Sequence, residues 1–136
     1  MPDPYCLAMI LCDSVHVDKA TGKQTILGTF STFGSTRYPA RISLAIYYAI
    51  TDAEGEIPLT FRVVDSKHGF EDDIEPVFSM EFMVRSPSPL AVVEGHFGLA
   101  NGILPAAGVY HCELLTGDSV LMSRRLVAIE LTGAKE

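Results

Sequence analysis

The sequence predicts an all-β fold, a two-sheet antiparallel sandwich of about eight strands with Greek-key or immunoglobulin-like connections. Three observations predict it. Eight runs fill the chain with strand-like alternation and almost no 3.6-residue helical period between them. Clusters of Gly, Pro, Asn, Asp and Ser separate the runs. At the end, Pro105-x-x-Gly108-x-Tyr110-x-Cys112-x-Leu114, then Thr116-Gly117-Asp118, then Val120 to Leu131 read as a hairpin. A length of 136 residues fits one domain, 1–136, and suffices to bury a core without disulfide or metal staples.

In chain order, Tyr5 to Asp13 is apolar on both faces, which suits an interior strand or a covered outer face. Asp18 to Lys23 is a polar turn. Gln24 to Phe33 is the next strand, and its internal Gly28 marks a bulge or a close backbone approach. After Pro39, Ile42 to Thr51 places Ile42, Leu44, Ile46, Tyr48 and Ile50 on one face and Ser43, Ala45, Tyr47, Ala49 and Thr51 on the other. Asp52-Ala53-Glu54-Gly55 is a turn, and Pro58 opens a strand where a missing N–H is tolerable. Leu59, Phe61 and Val63 then alternate inward against Thr60, Arg62 and Val64.

Asp65 to Asp73 reads as a polar surface loop. Phe78, Met80, Phe82 and Val84 share one face of the following strand, and Ser86-Pro87-Ser88-Pro89 ends it. Ala91, Val93, Phe97 and Leu99 point inward in the next strand, with Glu94 and His96 outward. Asn101 to Gly108 is expected to cross between the sheets before the final hairpin. Within that hairpin the period slips near Arg124-Arg125, which predicts a bulge there with both arginines outward. Phe61, Val63, Phe78, Phe82, Phe97, Tyr110 and Leu114 are the expected core.

A net charge of -7 without a Lys/Arg cluster opposes nucleic acid and anionic membrane surfaces alike. Leu7 to Leu11, the longest apolar stretch, is far too short to span a bilayer. The opening Met1-Pro2-Asp3-Pro4 lacks the basic and apolar segments of a signal peptide. Cys6, Cys12 and Cys112, an odd number, are expected to stay reduced as small core residues in a cytoplasm.

Asp13, His16 and Asp18, in the segment Cys12 to Asp18, are the candidate metal ligands. Their spacing matches no zinc signature, and Asp and Ser are also ordinary strand-end and turn residues. His68, Glu71, Asp72, Asp73 and Glu75 offer carboxylates without the pattern of a calcium loop and read as a solvated charge run. Glu94 with His96, and His111 with Glu113, each share a strand face and would cluster if their strands faced each other. A polar outer face is the simpler reading, because no nucleophile elbow, phosphate-cradling Gly loop or paired-acid motif accompanies them. No catalytic residue and no cofactor is assigned.

Leu11-Cys12-Asp13, Ile26-Leu27-Gly28-Thr29-Phe30, Pro39, Thr51-Asp52-Ala53-Glu54-Gly55, Val63-Val64-Asp65 and the Pro105/Gly108/Tyr110 hairpin carry a resemblance. On these residues the chain resembles a family of small bacterial β-sandwich proteins, a domain of unknown function. The resemblance spans most of the chain and implies a fold and a bacterial source, with no established activity. Gly108-x-Tyr110-x-Cys112 also resembles the tyrosine corner of immunoglobulin domains, although the chain has no tryptophan.

These features predict a non-enzymatic binding or assembly module whose partner is a second copy or another protein. Ala45, Tyr47 and Ala49 are its candidate interface, because an outward sheet face ordinarily carries polar residues; loops of the same chain lying over this face would account for them equally well. The alternative is a small ligand-binding or metal-dependent enzyme with a pocket at one end of the sandwich. It would use Glu94, His96, His111 and Glu113, or the Asp13, His16 and Asp18 group.

Overall fold

The computed structural model describes residues 3–66 and 76–132. Its described residues form nine strands: β1 (Tyr5–Val17), β2 (Gln24–Thr29), β3 (Thr32–Ser35), β4 (Ala40–Thr51), β5 (Gly55–Asp65), β6 (Phe78–Ser86), β7 (Val93–Leu104), β8 (Gly108–Thr116) and β9 (Ser119–Glu130). They make a four-stranded sheet, β2-β1-β4-β7, and a five-stranded sheet, β3-β9-β8-β5-β6. The all-β sandwich expected from the alternation is therefore present. One strand pair, β3 with β9, is parallel, so the five-stranded sheet is mixed.

The ninth strand comes from dividing the run Gln24 to Phe33. The Phe30 N–H still donates to Leu11 O beside β1, at 3.2 Å, and the next carbonyl, Ser31 O, already accepts from Val127 N of β9, at 2.9 Å. The chain thus changes sheets within one residue step. Gly28 enables the bend with φ 72°, and a Cβ there would lie 2.8 Å from Asp13 Cγ. The expected close approach at Gly28 is that of the Asp13 side chain.

β1 runs on to Val17, so Asp13 and His16 lie inside a strand and not at its end. Its hairpin to β2 is closed by Asp18, whose N–H donates to Lys23 O and whose carboxylate accepts from Thr21 Oγ1 at 2.6 Å. Pro58 is the fourth residue of β5 and not its first. It is tolerated because the ladder to β8 begins only at Thr60; Pro58 O accepts instead from Thr116 Oγ1.

β7 continues through the expected connection as far as Leu104. Asn101, with φ 60°, absorbs one extra residue opposite β4, and its N–H donates to Ser43 Oγ. The crossing to the other sheet is then left to Pro105 to Ala107, braced by the Tyr110 hydroxyl, which donates to Ala106 O at 2.6 Å. In β9 the register shifts between Leu114 and Leu115 of the partner strand, leaving Leu121 as the extra residue. The bulge lies there and not at Arg124-Arg125, although both arginines are exposed. Leu126 and Ala128 consequently face the core, with Ile129 outside.

Phe61, Val63, Tyr110 and Leu114 are buried as expected. Phe78, Phe82 and Phe97 are only half-buried, because β6 and β7 are the outermost strands of their sheets. Their rings still join the sheets: Phe82 and Phe97 lie 5.0 Å apart, Phe97 and Phe61 5.3 Å, and Phe82 and Tyr48 5.5 Å. Tyr48 also crosses Gly95 of β7, where a Cβ would come within 3.1 Å of Tyr48 Cε1.

Candidate functional site

Alternation along β4 sends Leu44, Ile46, Tyr48 and Ile50 into the core and leaves Ala45, Tyr47 and Ala49 on the opposite, outward side. Register supplies their neighbours. On β1, Ala8 lies beside Ala49, Ile10 beside Tyr47 and Cys12 beside Ala45. On β7, Glu94 lies beside Ala49, His96 beside Tyr47 and Gly98 beside Ala45. The centre of this face is thus apolar, and its polar groups stand along β7. Both two-faced runs of the sequence, β1 and β4, are adjacent interior strands of one sheet.

Tyr47 is 9% exposed, Ala45 7% and Ala49 5%. The Tyr47 hydroxyl donates to the Glu94 carboxylate. Burial, this bond and the Glu94 charge together raise the Tyr47 phenol to about 12. Tyr47 therefore stays protonated at neutral pH, its hydroxyl tied to β7 of its own sheet. Alternation singled out Tyr47, but its partner was missed, because Glu94 reaches it only through the pairing of Ala49 with Glu94.

The cysteines are free and buried. Burial, reinforced by the Asp13 charge, raises the Cys12 thiol, and its Sγ donates to Ala45 O at 3.5 Å. Burial pushes Cys112 up to about 12 against the opposing pull of Arg124, and it also raises Cys6. A reactive thiol needs the opposite environment, one that stabilises the thiolate.

The other candidates do not come together. Alternation along β1 puts Asp13 and His16 on opposite faces, and Asp18 is held in its turn by Thr21. Hydrogen bonding from Thr21 lowers the Asp18 carboxyl. Among the described residues, no group of three His, Cys, Asp or Glu side chains could hold a metal ion. Glu94 and His96 belong to β7 of the four-stranded sheet, whereas His111 and Glu113 belong to β8 of the other. Both pairs alternate with core residues, so they face away from each other across the sandwich. Glu113 is engaged by Arg62, whose Nε donates to it at 2.7 Å. His68, Glu71, Asp72, Asp73 and Glu75 lie outside the described residues.

Among the described residues, the surface concavities include two open ones. One, of about 530 Å³, lies beside Pro58, Thr60, Glu81, Met83 and Asp118 on the five-stranded sheet. The second, of about 370 Å³, lies at the change of sheets between Asp13, Thr29, Thr32 and Ser43. Fold and face together define a β-sandwich with an apolar outward sheet surface. The chain belongs to a family of unknown function, DUF6941, whose model matches residues 7–129. No curated protein matches it.

Proposed function

We propose that the chain is a non-enzymatic binding or assembly module of a bacterial cytoplasm, acting as a homo-oligomer or on another protein. The observation that carries this reading is the apolar make-up of the outward side of β1 and β4: the partly buried Ala8 and Ile10 stand beside Ala45, Tyr47 and Ala49, which keep 5–9% of their surface, at positions that alternation ordinarily gives to polar residues. Small side chains around one anchored ring make a flat surface with little rotamer entropy to lose on contact. The three free, buried cysteines fit a reducing compartment. Among the described residues no helix is long and apolar enough to cross a membrane.

Light scattering on the purified chain, with far-UV dichroism as a folding control, tests the reading. Tyr47→Glu would set a second carboxylate against Glu94 within one chain, so Tyr47→Arg is the better variant. It pairs with Glu94 in its own chain and replaces the ring with a long charged side chain that a close two-fold contact of this face would have to desolvate. Loss of association in a folded Tyr47→Arg protein supports this face. Unchanged association rejects it, and a wild-type chain that is monomeric at every concentration rejects homo-oligomerisation.

A further inference from the structure

β6 and β7 close their respective sheets on the same side of the sandwich and approach each other there. Along this seam the core is incomplete. Phe61 and Ile46, on the neighbouring inner strands, are 0% exposed. The core-side residues Phe78, Met80 and Phe82 of β6 and Val93 and Phe97 of β7 are only half-buried. Each strand also leaves one backbone edge without a sheet partner among the described residues. Neither strand contains the lysine or proline that commonly blunts such an edge. The bulge at Asn101 interrupts β7 but leaves Val93 to Leu99 in regular register with β4.

We infer that a second copy of this chain docks along the β6–β7 seam, edge to edge, extending the sheets and covering the half-buried aromatic residues. Charge selects that occupant. In an antiparallel two-fold pairing centred on Met83, Glu81 of each copy stands opposite Arg85 of the other. In one centred on Gly95, Glu94 of each copy stands opposite His96 of the other, a hydrogen-bonding acceptor and ring in place of an ion pair. Both edges are therefore complementary to themselves, as an isologous contact requires. Met83, at the first of these centres, is 58% exposed. The inference rests on the assembly reading above but on a different surface from the Tyr47 face.

The test is the solution mass of Arg85→Glu and of the exchange variant Glu81→Arg/Arg85→Glu. Arg85 also lies 3.8 Å from Glu56 in its own chain, with both side chains largely exposed. That intrachain relation is altered equally in both variants, whereas complementarity between copies is broken only in the first. The expected result is an oligomeric wild type, a lower solution mass for a folded Arg85→Glu and a restored mass for the exchange. A wild-type mass that persists in Arg85→Glu overturns the seam and leaves the assembly reading standing. Failure of the exchange to restore the mass overturns it as well. A wild-type monomer at every concentration ends the seam and homo-oligomerisation together.

Discussion

Asp13 occupies the space that a side chain at position 28 would need: an added Cβ on Gly28 would lie 2.8 Å from Asp13 Cγ and 3.1 Å from its Cβ. The two residues face each other across the β1–β2 pair, immediately before the chain leaves that sheet. Gly28 also holds φ 72°, a conformation that costs any residue with a side chain. Crowding and backbone strain thus coincide at one position.

Gly28→Ala is expected to lower stability by about 1–3 kcal/mol, from strain and crowding together. Adding Asp13→Ala removes the nearest atoms but not the strain, so the double variant should recover only part of the loss. Urea denaturation of the two single variants and the double one measures this coupling. Additive losses would mean that Asp13 moves aside freely.

Phe61→Ala is expected to cost about 3–5 kcal/mol, because its ring is wholly buried between the sheets. Phe82→Ala should cost clearly less, about 2 kcal/mol, since its half-buried ring already touches solvent at the sandwich edge. Equal losses would place Phe82 in a fully enclosed environment.

Raising pH should expose the Tyr47–Glu94 contact. The folded protein holds the Tyr47 proton up to about 12, whereas a free phenol releases it near ~10. Between those values the folded state binds more protons than the unfolded chain, so stability falls as pH rises through that interval. Burial raises Tyr48 and Tyr110 in the same direction, so the informative quantity is a difference. Tyr47→Phe should show a shallower fall than the wild type, and identical slopes would mean that burial and Glu94 together do not raise the Tyr47 phenol.

Thiol titration of the denatured protein without reductant should find three free groups, matching the free cysteines. In the folded protein, Cys112 should resist alkylation even in mildly alkaline buffer, because its thiolate forms only near pH 12. Rapid native labelling at Cys112 would contradict its burial.

Much of this architecture was legible in the alternation of Ile42 to Ile50 and of Leu59 to Val64, where one face of each strand meets the core. The division between β2 and β3 was not. It depends on which strands accept the backbone bonds of Phe30 and Ser31, and those strands lie at distant positions in the sequence. Asn101-Gly102 carries the residues of a turn yet forms a bulge, since β4 continues beside it to Ala40. For the outward face, the phase of Tyr47 followed from its own strand. Its bond to Glu94 and the separation of His96 from His111 required the register and the sheet assignment of β7 and β8. Phe82 and Phe97 were expected in the interior because alternation identifies a face but not whether its strand ends a sheet.

The parallel pairing of β3 with β9 also sets the order in which the chain can complete itself. Thr32 to Ser35 have their sheet partner in Val127 to Glu130, more than half the sequence away, so the entropy of closing that loop must be met before any ladder bond forms. A nascent chain that has emerged only through β8 carries β3 unpaired, with its N–H and C=O groups open to neighbouring molecules. The arrival of the last strand supplies that partner, and a chain truncated before Val127 would keep a persistently adhesive edge where the finished molecule has a joined one.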